Sequence, residues 1–344
     1  MANVLDSTVY RFALELLTPG GKRLDTVALE RADFDRAIEA TCFDALRRGE
    51  VSEYAFAKDQ ARIVPRFPGD GPRSAGFDIA IDTCSGERRR HFSLEYFRTT
   101  MRRHGAGLAI AGRLAPDATV AFRLAAFVEE PIRKKSGWTM DLEEEPSRIT
   151  IRKGDLGAHG PSEAWDTPTA DDFRVLVPRH VIDESIAEAR ALPDREVGGA
   201  LLGHLRRDEA SGELYLEVTC LVPCEETEAT AISVTFTHET WARVREVATY
   251  RGEAELIVGW VHSHPFRVCA ECPSPVPTEC QAKVLFYSTD DEFLMESTFP
   301  RPFMVGLLAA VEPRLESALG HAPVKLFGWR DGVIVPRGFE VIEG

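Results

Sequence analysis

The sequence predicts an α/β chain of the α+β kind, in two parts. Residues 1–135 are expected to form a compact α+β domain, residues 136–172 a linker, and residues 173–344 a second domain. Three observations carry this. A chain of 344 residues is long enough for two sizeable cores. Short β-branched and aromatic runs of strand length are interleaved with stretches of helical period. Between Glu129 and Asp172 the composition changes: Arg133-Lys134-Lys135 is followed by Asp141-Leu142-Glu143-Glu144-Glu145-Pro146 and a Gly, Ser and Pro-containing run to Pro168.

Taken in order, Val9 to Leu17 reads as a strand, Pro19-Gly20-Gly21 as a turn, and Thr26 to Leu29 as its returning partner. Asp33 or Asp35 opens a helix whose apolar face is Phe34, Ala37, Ile38, Cys42 and Leu46, ending near Gly49. Phe77 to Ile81 and Arg90 to Phe92 form a hairpin around Ser85-Gly86. Leu94 to His104 is expected to be a basic helix, with strands over Ala106 to Gly112 and Thr119 to Phe127. Nothing in this part resembles a catalytic constellation. Arg88-Arg89-Arg90 and Arg102-Arg103 read as solvated faces, with contact to an acidic partner as the other reading. Within the linker Arg148 to Arg152 has strand character.

Beyond the linker, Phe173 to Val177 is expected to be a strand and Pro178 to begin a helix through Ile182, Ile186 and Ala189. A strand holding Glu196 follows, then strands over Leu214 to Val222 and Ile232 to Phe236, a helix around Trp241 to Arg251, and a strand over Ile257 to Val261. That strand closes on His262-Ser263-His264-Pro265. Strand side chains alternate, so both imidazoles face one way, and Pro265 removes a ladder donor and stops the strand. Two imidazoles and an acid from a later turn suit a zinc ion with its fourth position open to water, the pattern of a catalytic rather than a structural site.

These residues resemble the JAB/MPN metalloprotease family and its JAMM signature, in the bacterial deubiquitinase-like branch. The family pattern E-x-G-G-x-L-x-G is met by Glu196 in E-V-G-G-A-L-L-G, and H-S-H-P is met without change. The family's S-x-x-D, taken literally, runs from Ser288 to Asp291. The register of S-T-D-D-E-F against the following apolar run, Met304 to Leu308, instead selects Asp290 as the third ligand and puts Tyr287 at the family's Ser position, with Ser288 the nearest hydroxyl. The resemblance implies a curved mixed sheet flanked by helices, one catalytic zinc on His262, His264 and Asp290, and Glu196 as general base on zinc-bound water. Ser288 is the expected catalytic hydroxyl for the oxyanion, with Tyr287 and then Ser263 as alternatives. It also implies a zinc-dependent isopeptidase cleaving after the C-terminal tail of a ubiquitin-like modifier, with a ubiquitin-like protein or its conjugates, and a conjugating enzyme, as partners of the chain. A silent scaffold, or a hydrolase for sulfur-carrier conjugates, is the alternative. The segment 265–286 is far longer than the family's usual loop. Its Cys269-x-x-Cys272 and Cys280 suit a second, structural zinc if Cys220, Cys224 or Glu271 supplies a fourth ligand; free thiols are the other reading.

Composition sets the remaining expectations. A net charge of −14 opposes a nucleic-acid partner, whose phosphates it would repel. No window has the apolar length of a membrane helix, and no basic segment precedes the first apolar residues as in a signal peptide. Seven cysteines, an odd count without a small secreted framework, favour a reducing cytoplasm.

Overall fold

The computed structural model describes residues 9–51, 61–67, 74–115, 118–128, 149–166, 168–169, 171–224, 236–252, 254–265 and 284–343. The chain divides into two compact units, Met1–Ile149 with Asp331–Val333, and Thr150–Arg330 with Ile334–Gly344.

In the first unit, β1 (Tyr10–Leu17) pairs antiparallel with β2 (Arg23–Leu29), and α1 (Asp35–Arg47) follows. Next come β3 (Arg62–Arg66), β4 (Gly76–Thr83), β5 (Gly86–Ser93), α2 (Arg98–Ile110) and β6 (Ala121–Val128). Two three-stranded sheets result, ordered β2-β1-β6 and β3-β4-β5. Their shared core holds Leu14, Leu16, Phe34, Ile38, Phe77 and Phe97. The strand expected over Ala106 to Gly112 is instead the second half of α2, because Met101, Gly105 and Leu108 are buried at helical spacing. Arg88 pairs within the unit with Asp44 and, at 3.2 Å, with Glu50.

The second unit is a curved mixed sheet of ten strands with helices. It comprises β7 (Ile151–Gly154), β8 (Ser162–Trp165), β9 (Arg174–Pro178), α3 (Arg179–Ala191), β10 (Gly198–Asp208), β11 (Leu214–Pro223), α4 (His238–Arg251) and β12 (Leu256–His264). The rest is α5 (Thr289–Thr298), β13 (Val305–Ala310), α6 (Pro313–Leu319), β14 (Val324–Arg330), β15 (Val333–Arg337) and β16 (Phe339–Ile342). The order is β15-β14-β13-β12-β10-β11-β9-β16-β8, with β7 alongside β10. Two segments expected to lie in a linker are therefore sheet strands. β7 runs parallel to the far end of β10, and β8 closes the edge against β16; their few residues gain stability from partners distant in sequence. Of the strand expected over Ile232 to Phe236, residues 232–235 lie outside the described residues.

Two pairings place the site. β12 is antiparallel to β10, with Gly198 opposite His262, and parallel to β13. Parallel neighbours need a crossover, and α5 lies in it, so its N-terminus arrives at the C-terminal end of β12. Gly259 permits the close approach of β13, since a Cβ there would collide with the Val305 carbonyl. Trp260, on the same strand face as the two histidines, packs with Met295 and Phe299. Val261 and Ser263, on the other face, border Ser185 and Glu188 of α3.

Candidate metal centre

Alternation along β12 puts His262 and His264 on one face, and the protein buries both, to 1% and 2% exposure. Glu196 lies just before β10 rather than inside it. Continuing the β10–β12 register by two residues sets it across from His264, so its carboxylate joins the same face: Oε1 is 3.7 Å from His264 Nε2, and the residue is 3% exposed. Ser263 secures that step. Its N–H donates to the Val197 carbonyl at 2.8 Å, and its hydroxyl accepts the Val197 N–H at 3.0 Å.

The third acid is Asp291, which corrects the expectation of Asp290. Asp291 is 7% exposed, with Oδ1 3.3 Å from His262 Nε2 and Oδ2 3.7 Å from His264 Nε2. Asp290 is exposed. The reason is helix phase. Successive residues of a helix are about 100° apart, so one of two adjacent acids faces the histidines and the other faces water. Ser288 is the N-cap of α5 and Asp291 its N3 residue, joined in a reciprocal capping box. The Ser288 N–H donates to Asp291 Oδ2 at 2.7 Å, and the Ser288 hydroxyl accepts the Asp291 N–H at 3.1 Å. The S-x-x-D spacing is thus both a helix cap and a device that aims a carboxylate.

A cation fits this donor set. One donor atom from each of His262, His264 and Asp291 lies within 4.8 Å of the others. His264 Nδ1 donates to the Val284 carbonyl at 3.1 Å, which leaves the Nε2 lone pair free to ligate. Both ring nitrogens of His262 are buried without a hydrogen-bond partner among the described residues, a costly arrangement that a ligand would relieve. Burial pushes His262 below the usual imidazole range, which favours the neutral form that binds metals. Burial alone would raise the Asp291 carboxyl, yet His262, His264 and the Ser288 N–H together hold it well below the carboxylate range. Burial, and then the Asp291 and Asp290 charges, push Glu196 up to about 8. A carboxyl so displaced, beside two imidazoles and an acid, marks this cluster as a candidate functional site.

Sequence reasoning placed Glu196, His262 and His264, which the fold brings together, and named Ser288, which caps α5. It missed the Val284 carbonyl that orients His264, since a backbone carbonyl carries no residue-type signal. Cys269, Cys272 and Cys280 lie outside the described residues, as does Glu271; Cys220 and Cys224 form no disulfide among the described residues.

Residues 174–285 match the sequence profile of the family described as JAB1/Mov34/MPN/PAD-1 ubiquitin protease. That span takes in Glu196, His262 and His264 and stops short of Asp291. None of the curated proteins matches the chain. Among solved structures, the chain is similar to the solution structure of a protein from Desulfitobacterium hafniense, at 18% identity over 49% of this chain and 94% of that one. The TM-score of 0.30 is too low to argue from.

Proposed function

We propose that the second unit is a zinc-dependent isopeptidase or peptidase that cleaves after the C-terminal tail of a ubiquitin-like modifier. The observation that carries this is the single buried face on which Glu196 stands 3.7 Å from His264, beside His262 and Asp291. His262, His264 and Asp291 would hold the ion, leaving a coordination position open. A zinc ion there supplies Lewis acidity and lowers the pKa of a water from about 16 to near 7.

Glu196 then moves the proton. An opposing charge lowers a carboxyl pKa, so the group that sits near 8 without a cation is ionised with one in place. It takes a proton from the attacking water and delivers it to the departing amine nitrogen, as the carbonyl carbon gains an oxygen and loses the nitrogen. Ser288 spends one acceptor site on the helix cap and keeps its hydroxyl proton for the oxyanion. The ubiquitin-like substrate rests on the description of the matched family. The first unit is assigned to holding the modifier, its target or a conjugating enzyme.

Elemental analysis and a cleavage assay test this together. Asp291→Ala is expected to lose one zinc per chain while Asp290→Ala loses none. The wild type is expected to release lysine from a ubiquitin-like protein ending in Gly-Gly and joined to the lysine ε-amine, with Glu196→Gln slower by at least about a hundredfold. Zinc without cleavage would favour a binding scaffold; no zinc in the wild type would overturn the protease reading.

A further inference from the structure

The two histidines are held in different ways. His264 follows the common arrangement for a metal ligand, its second ring nitrogen donating to a carbonyl. His262 has no such carbonyl partner among the described residues: its Nδ1 has none, and its Nε2 faces Asp291 Oδ1 at 3.3 Å. Its ring instead lies flat on the Trp260 indole, with centroids 4.2 Å apart and planes 8° from parallel. The Phe299 ring is also parallel to that indole, with centroids 6.1 Å apart and planes 5° from parallel. Phe299 is the C-cap residue of α5, the helix whose first turn carries Asp291. Its carbonyl accepts the Trp329 indole N–H at 2.9 Å, which ties it to β14. Tyr287 adds a tilted wall, 5.5 Å from the His262 ring. Its buried hydroxyl occupies the space where a side chain at Gly306 would stand, beside the Trp260 indole nitrogen.

We infer that Trp260 is a positioning residue for the metal centre. By stacking on His262 it fixes the imidazole plane that a hydrogen bond fixes at His264, and through Phe299 it holds the ligands of β12 in register with the ligand of α5. A parallel stack resists tilting of the ring out of its plane, and full burial leaves the ring no second rotamer of low energy. The Tyr287 ring closes the remaining side by shape.

The inference rests on the zinc reading of the site, and the test separates the two. Zinc affinity is measured on the full chain by competition with a chromophoric chelator, and the visible spectrum of the cobalt-substituted protein reports ligand geometry. If the wild type takes up no zinc that Asp291→Ala loses, the metal reading itself falls. If it does, Trp260→Leu is expected to weaken zinc binding at least about tenfold and to change the cobalt spectrum, with Trp260→Phe recovering most of the loss. Tyr287→Phe, which keeps the ring, is expected to bind zinc within about twofold of wild type. Wild-type affinity and spectrum in a folded Trp260→Leu would overturn the inference. So would a tenfold loss in Tyr287→Phe, which would make the hydroxyl the partner of His262 and remains readable if Trp260→Leu does not fold.

Discussion

A carboxyl group 3% exposed and within the field of two further acids holds its proton far longer than it would in water. For Glu196 this moves the midpoint from an ordinary 4.5 to about 8, because burial withdraws the water that stabilises the anion and Asp291 and Asp290 repel it. Between those two values the folded protein without metal binds a proton that the unfolded chain has released. The stability linked to that proton is complete below about pH 4.5 and is lost as the pH rises through about 8. Glu196→Gln has no such proton to lose. In chelator-treated protein the variant is expected to be more stable than wild type at pH 9, by on the order of a few kcal/mol, and to gain much less at pH 5. Denaturant unfolding at the two pH values measures the gap. A gap independent of pH would place the Glu196 charge elsewhere.

At the scale of elements, the proposed zinc site would make α5 couple folding to ligation. The first turn of a helix leaves backbone N–H groups unpaired, and the Ser288–Asp291 box satisfies two of them while turning one carboxylate toward the histidines. Removing the cap should therefore cost stability and metal affinity together. Ser288→Ala is expected to destabilise the protein by about 1 kcal/mol and to weaken zinc binding. Ser288→Thr, which keeps the hydroxyl, is expected to restore both, and Thr289→Ala, one residue outside the box, to change neither. Isothermal unfolding and chelator competition on the three variants check this. Stability lost without affinity would mean that another contact aims Asp291.

At the scale of the molecule, the ligands are gathered from segments far apart in the chain, so ion binding stabilises the folded state alone. A zinc concentration 100 times its dissociation constant adds about 2.7 kcal/mol. Since Thr150–Arg330 and Ile334–Gly344 form one compact unit, residues 150–344 produced alone are expected to fold, and their melting temperature to rise with zinc as that of the second unit does in the full chain. Calorimetry of both forms decides. A fragment that melts without cooperativity would show that this unit needs the first to fold.

What was legible in the sequence was whatever a local rule controls. Alternation set His262 and His264 on one face before any partner was known, because a strand has a period of two wherever it pairs. The apolar faces of α1 and α3 were equally plain, since helical period is also a local property. Asp290 and Asp291 were not separable by register with the following strand. Their difference is one of helix phase, set by Ser288 as the cap, and neighbouring acids are chemically alike. The strand at Ile151–Gly154 was legible only in part, as the strand character of Arg148 to Arg152, and Ser162–Trp165 looked like linker because four residues carry little pattern of their own and owe their form to β16. The sequence by itself determined the chemistry on offer: two imidazoles, a base and an acid, with the spacing to meet. Only the tertiary structure decided which acid meets them, which carbonyl orients His264 and which ring His262 rests on, because those depend on where a crossover returns and on burial, neither of which is local.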